Sequence, residues 1–358
     1  MTKPSLFKTP SLLILAIALL APACLHQDTD PLELDDDPFA DSEMLDPVQF
    51  RKTASELAAN EVCPNVINDG IGLMRYCRSN NIYVDNANIE RAIIVIHGSG
   101  LDAKEYYQKT IDEAVADGVD LNTLDVIAPQ YFEGNVPNYD NNPWTDYYVW
   151  SSGWRWGYLS SSHNTRPSFA IIDHIVGQLM DHRPNLQTIV VAGQSAGGQF
   201  VDRYAVGTDV DHTGVDMRFW AANPSTNVWY TTSRPEPTCA GYNNYGYGLD
   251  NRNTYMSGST TAQIRNRALT RDIFWTVGEN DTQPAGVDSS CRANSTGSQR
   301  NERWFNHRQH VADLCSAEGF SGLYCLFHTA RHVEIPGCGH GKNCSWASAE
   351  GHDILFGS

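Results

Sequence analysis

The sequence predicts an α/β fold, a mostly parallel central sheet with helices on both faces. Three observations carry that expectation. Short unbroken apolar runs recur, as at residues 92–96 (Ala-Ile-Ile-Val-Ile) and 188–192 (Thr-Ile-Val-Val-Ala). Such β-branched runs are how strands buried on both faces read. Segments with helical spacing alternate with them. One run also leads straight into a glycine-framed serine, Gly193-Gln194-Ser195-Ala196-Gly197.

Taken in order, residues 82–84 form a candidate edge strand and 92–96 the first buried strand. Residues 103–115 read as a helix. Tyr107, Ile111, Ala114 and Val115 share one face, and Gly118 follows as a stop. Residues 125–128 are the second buried strand. Residues 168–181 are a helix with Phe169, Ile172, Ile175, Val176 and Leu179 at helical spacing. The third strand is 188–192, followed by a helix containing residues 199–204. Strands at 218–222, 272–277 and 332–335 complete the set. The connection from Ala222 to Asp272 is rich in Asn, Thr, Tyr and Gly and holds no long apolar lid.

The 358 residues are 41% hydrophobic and 19% charged, an ordinary globular composition with chain enough for one large α/β domain. A net charge of -17 argues against nucleic acid as a partner, because phosphate neutralisation needs clustered Lys and Arg. Nine acids fall between Asp28 and Asp46, and no Lys or Arg lies between Lys8 and Arg51. That stretch reads as a solvated, self-repelling tether. Before it, Lys3 and Lys8 precede an apolar run over residues 12–20, and Ala21-Pro22-Ala23-Cys24 follows. A basic region, a short apolar core and small residues make a secretory signal. The run is shorter than the roughly 20 residues that span a bilayer. The expected division is a signal at 1–23, an acidic tether at 24–48 and a folded domain at 49–358.

Residues 20–24 (Leu-Ala-Pro-Ala-Cys) resemble a bacterial lipobox and also fit an ordinary A-x-A cleavage site. The first resemblance makes Cys24 a candidate lipidation site. Leu25 after it, where inner-membrane lipoproteins carry Asp, favours the outer membrane. The protein is therefore expected to be exported: an outer-membrane lipoprotein, periplasmic or extracellular. Any membrane contact would come through the N-terminal lipid. Nine cysteines less Cys24 leave eight, and an even set in an exported chain implies disulfides. Short loops suggest Cys63–Cys77, Cys315–Cys325 and Cys338–Cys344, leaving Cys239–Cys291, among 105 formal pairings. No zinc-type C-x-x-C spacing occurs, so neither a metal nor an organic cofactor is expected.

The serine turn carries the chemistry. A sharp strand-to-helix turn holds Ser195 in a strained backbone and lifts its hydroxyl out of the sheet. A hydroxyl needs a base, and imidazole suits neutral pH. His340 sits in a glycine-flanked loop after the last strand, Pro336-Gly337-Cys338-Gly339-His340-Gly341. His332, inside that strand, is the weaker choice. The acid should follow the preceding strand, where Gly278-Glu279-Asn280-Asp281 offers Asp281, then Glu279, with Asp288 third. Oxyanion donors are expected from the Ala196 amide and from Gly98 or Ser99, with His97 orienting their loop rather than reacting.

Residues 95–100 (Val-Ile-His-Gly-Ser-Gly), 193–197, 278–281 and 339–340 together resemble the α/β-hydrolase superfamily, across residues 91–341. The resemblance implies the α/β-hydrolase fold and the work of a serine esterase, lipase or related acyl hydrolase. A Ser-Asp-His triad would act through an acyl-enzyme on a small-molecule or polymeric ester. A peptidase, an acyltransferase and a non-catalytic binding protein remain open. The missing apolar lid favours short-chain or polar esters. Trp144, Tyr147, Tyr148, Trp150, Trp154, Trp156 and Tyr158 crowd one connection, and Tyr242, Tyr245, Tyr247 and Tyr255 another. Both lie where α/β sheets build their sites. Trp150 and Trp154 are expected to shape the acyl or leaving-group pocket.

Overall fold

A computed structural model describes residues 63–133, 147–150, 152–162 and 166–357. The expected signal, the acidic tether, Cys24 and Trp144 lie outside these residues. Eight strands form one sheet: β1 (Asn65–Asn68), β2 (Leu73–Arg78), β3 (Arg91–Ile96), β4 (Leu124–Pro129), β5 (Thr188–Gln194), β6 (Asp216–Ala222), β7 (Asp272–Gly278) and β8 (His332–Ile335). Their order is β1-β2-β4-β3-β5-β6-β7-β8. β1 pairs antiparallel with β2, and β2 with β4; every later pair is parallel.

The strand residues explain the layering. Along β3, Ala92, Ile94 and Ile96 enter one hydrophobic core, and Ile93 and Val95 enter the other. A period of two sends alternate side chains to opposite faces, so both faces need helices. The first face is covered by α2 (Phe169–His182) and α3 (Ala196–Gly207). The second is covered by α1 (Ala103–Ala116) and, near the C-terminus, by α8 (Lys342–Ala347) and α9 (Ala349–Phe356). The chain runs from β3 to β4 on one side and later returns to β5 on the other. This reversal of strand order beside β3 opens a crevice at the carboxyl ends of the strands.

Two expectations about elements need correction. Residues 82–84 form a turn, not an edge strand. The Asn81 side chain accepts the Tyr83 N–H at 3.1 Å, and local turn chemistry overrides three apolar residues. The outer strands are instead β1 and β2, a hairpin whose turn is closed by Asp69 accepting the Ile71 and Gly72 N–H groups. The periodicity also gave no sign of α4 (Thr261–Thr270), α5 (Cys291–Asn294), α6 (Arg300–Ala317) or α7 (Gly322–Thr329). In α6 the buried side is Arg300, Arg303, Trp304, His307 and His310 over the first three turns, and only Val311 and Leu314 after them are aliphatic.

Four disulfides join Cys63 to Cys77, Cys239 to Cys291, Cys315 to Cys325 and Cys338 to Cys344. Among the described residues no helix is long and apolar enough to cross a membrane.

Candidate active site

β5 ends at Gln194, and Ser195 follows at φ 60°, ψ -114° before α3 begins at Ala196. A positive φ on a residue with a Cβ costs on the order of 1 kcal/mol or more and persists only where the surroundings impose it. Here glycines impose it. A Cβ on Gly193 would lie 2.4 Å from the Gly197 carbonyl oxygen, and one on Gly197 would lie 2.2 Å from the Ile96 oxygen. A Cβ on Gly198 would lie 2.4 Å from the Ala222 oxygen. The first turn of α3 is thus wedged between the ends of β3 and β6, and the Ser195 N–H donates to Ala222 at 2.9 Å.

Two loops converge on the serine. Asp281 follows β7 in a turn closed by its N–H on the Gly278 carbonyl, at 2.9 Å. His340 follows β8. A Cβ on Gly278 would sit 2.5 Å from the carbonyl oxygens of Cys338 and Gly339, so only glycine lets these loops pass. That passage brings His340 Nδ1 to 2.8 Å from Asp281 Oδ2, while His340 Nε2 lies 3.0 Å from Ser195 Oγ. A carboxylate only accepts, so Nδ1 carries the proton and Nε2 is free to accept from the serine hydroxyl. Asp281 is 1% exposed.

The His340 loop is held from several sides. The Gln194 side-chain amide donates to the His340 carbonyl, and the Tyr106 hydroxyl donates to Gln194 Oε1 at 2.7 Å. Burial holds the Tyr106 phenol well above its ordinary pKa, so it stays a donor. Asn223 donates to the Gly339 carbonyl at 3.1 Å, and the Asn280 N–H to that of Cys338 at 2.7 Å. The Cys338–Cys344 bridge closes the loop around His340. Just beyond it, Lys342 pairs with Asp102 and Glu105, both at 2.9 Å.

His97 lies under the loop after β3. It is fully buried, and burial lowers its pKa, which keeps the imidazole neutral. Its Nε2 accepts the Tyr131 N–H at 3.0 Å, so Nδ1 donates to the Gly98 carbonyl at 2.7 Å. It therefore fixes the Gly98–Gly100 turn. Gly98 and Ser99 line the same cavity, of about 440 Å3, as Ser195 and His340. Ala196 follows the serine as the first residue of α3. Residues 283, 285 and 286 form another wall of that cavity.

The other candidates are engaged elsewhere. Glu279 is exposed and accepts the Gly337 N–H at 2.7 Å. Asp288 accepts from the Tyr247 hydroxyl at 2.7 Å and the Ser290 N–H at 2.9 Å. His332 lies inside β8, 3.0 Å from His307, with its ring stacked on Trp275. The expectation for Trp150 and Trp154 is corrected outright: neither lines the cavity, and both are fully buried. Trp154 stacks on Tyr131 at 5.1 Å, packs 4.9 Å from His97 and donates to Glu133 at 2.6 Å. Trp150 donates to the Tyr158 carbonyl at 3.2 Å. Their large apolar area goes into the core beneath the His97 loop.

One site residue had no signal in the sequence. Arg300, in the first turn of α6, places Nη1 3.2 Å from Asp281 Oδ1. A single arginine opening a helix whose first turns bury polar side chains follows no pattern. Among the described residues no group of His, Cys, Asp and Glu is arranged to hold a metal ion.

The sequence matches no family model and no curated protein. Its structure is similar to that of a poly(3-hydroxybutyrate) depolymerase from Bordetella parapertussis, with a TM-score of 0.57 and 17% identity over 81% of this chain and 86% of that one. It is also similar to poly(aspartic acid) hydrolase-1 from Sphingomonas sp. KT-1, with a TM-score of 0.58 and 17% identity over 82% of this chain and 98% of that one. Together with the strand order and the serine turn at the end of β5, these likenesses show that the chain has the α/β-hydrolase fold.

Proposed function

We propose that the protein is a serine carboxylic-ester hydrolase. The observation that carries this reading is the hydrogen-bonded line from Ser195 through His340 to Asp281, at 3.0 and 2.8 Å, with Ser195 and His340 lining one cavity. In the proposed reaction Ser195 Oγ attacks the ester carbonyl carbon while His340 Nε2 takes its proton. The oxyanion is met by the amide of Ala196 and that of Gly98 or Ser99. Collapse expels the alcohol, protonated by His340, and leaves an acyl-enzyme. Water then gives up a proton to His340 and attacks the acyl carbon; the Ser195 Oγ–acyl bond breaks, His340 returns the proton to Oγ, and the acid leaves. Asp281 holds the imidazole tautomer and offsets the positive charge that develops on it.

A cavity of about 440 Å3 falls at the small end of ligand sites, which supports short-chain or polar esters. Small-molecule and polymeric esters both stay within this reading. The four disulfides support export into an oxidising compartment. Lipidation of Cys24 is part of the same proposal, and mass spectrometry of the mature N-terminus tests it. The activity is tested with p-nitrophenyl esters from acetate to palmitate. Turnover should peak at the short acyl chains and vanish in Ser195→Ala. Folded protein that turns over none of the series would contradict the proposal.

A further inference from the structure

Arg300 is 2% exposed, yet it reaches three parts of the site at once. Nη1 lies 3.2 Å from Asp281 Oδ1, on the carboxylate oxygen that His340 does not use. The same nitrogen lies 3.4 Å from the Gln283 carbonyl, and Nη2 lies 3.0 Å from that of Ala285. Gln283, Ala285 and Gly286 wall the cavity beside Ser195 and are themselves exposed. Among the described residues, the Arg300 guanidinium supplies the hydrogen bonds that join this short exposed stretch to Asp281.

Resting on the proposed serine-hydrolase reading, we infer that Arg300 is a positioning residue that couples the triad acid to the cavity wall at 283–286. It has two effects. Its charge shares the Asp281 carboxylate with His340, so the carboxylate stabilises an imidazolium less than it would alone. Its fork of donors holds two wall carbonyls in fixed register with Asp281, which a single point charge would not do.

The surrounding charges leave this role to Arg300. On α6, Glu302 is bonded to the Ser298 N–H, and Arg303 to the carbonyls of Ser225 and Asp288. From the His340 loop, Lys342 is paired with Asp102 and Glu105 of α1. Glu279 caps the Gly337 N–H. None of these is bonded to Asp281, whose carboxylate oxygens face Arg300 and His340.

The test uses the full protein with two variants, Arg300→Gln and Arg300→Lys. The readouts are the pH dependence of Ser195 labelling by a fluorophosphonate and the chain-length profile on p-nitrophenyl esters. Arg300→Gln removes the charge. The acid limb of labelling should rise by roughly one pH unit, because Asp281 then favours the imidazolium without competition. Arg300→Lys keeps the charge and loses the fork. Its acid limb should stay in place, while its preference among acyl chains flattens as the wall loosens.

A merely structural arginine would lower labelling at every pH without moving the limb. An Arg300→Gln limb that coincides with the wild type, in folded protein, would overturn the inference and leave the serine-hydrolase reading standing. If Arg300→Gln does not fold, Arg300→Lys decides alone: an unchanged chain-length profile overturns the coupling and a flattened one supports it. Wild-type protein that takes no label would overturn the proposed function and this inference with it.

Discussion

At the scale of single residues, the proposed chemistry depends on groups that differ little in type and greatly in placement. Asp281 and Glu279 are both carboxylates two positions apart. One is buried against His340; the other is exposed on the Gly337 N–H. Asp281→Asn should therefore lower kcat on p-nitrophenyl acetate by about ten-thousand-fold, as loss of the correct tautomer does. Glu279→Gln should stay within a few-fold. Steady-state kinetics on the two purified variants checks both. Gly193 and Gly197 marked the serine turn in the sequence, and each stands where another backbone leaves no room for a Cβ; the loop crossing at Gly278 shows only in the structure. Arg300 and the Tyr106–Gln194 bridge were not legible. Their partners are distant in sequence, and neither residue breaks a local rule.

At the scale of elements, what was legible is what buries aliphatic surface. The six strands 92–96 to 332–335 and the helices on 103–115 and 168–181 announce themselves by period. α6 does not, since Arg300, Arg303, His307 and His310 occupy positions on its buried side. The aromatic-rich connection shows the opposite error: Trp150 and Trp154 suggested a pocket and are core. Aromatic content alone does not separate a lined pocket from a packed loop. The loop from β8 to α8 is a short element with a testable property. Cys338 and Cys344 bracket His340, and Cys344 is exposed to reductant. Reduction widens the freedom of the His340 loop while the sheet keeps its hydrogen bonds. Ester turnover should fall at reductant concentrations that leave the far-UV circular dichroism unchanged. Parallel loss of both signals would show that the bridge supports the whole fold instead.

At the scale of the molecule, the two-faced sheet places its switch point beside β3 and β5, and the proposed nucleophile emerges there. The opposite flank holds a different kind of core. His307, His310, His328 and His332 pack among Trp229, Tyr230, Trp275 and Trp304. Burial pushes His307 and His328 down to about 4 and His310 to about 2, and holds His332 well below its ordinary value. These groups are neutral in the native state and titrate near 6.5 when the chain unfolds. The unfolded state therefore binds more protons below that pH. Their contribution to stability is complete above about pH 6.5 and is lost as pH falls toward about 4. The melting temperature should drop steeply from pH 7 to pH 5, and His310→Gln should make the slope shallower if the fold survives. A melting temperature flat across that range would contradict the assignment. The central claim, that Ser195 is a nucleophile activated by His340, has a more direct test. Mass spectrometry after fluorophosphonate treatment should find one adduct, on Ser195, that is lost in His340→Ala. A folded wild-type protein with no adduct, or with the adduct on another serine, would contradict it.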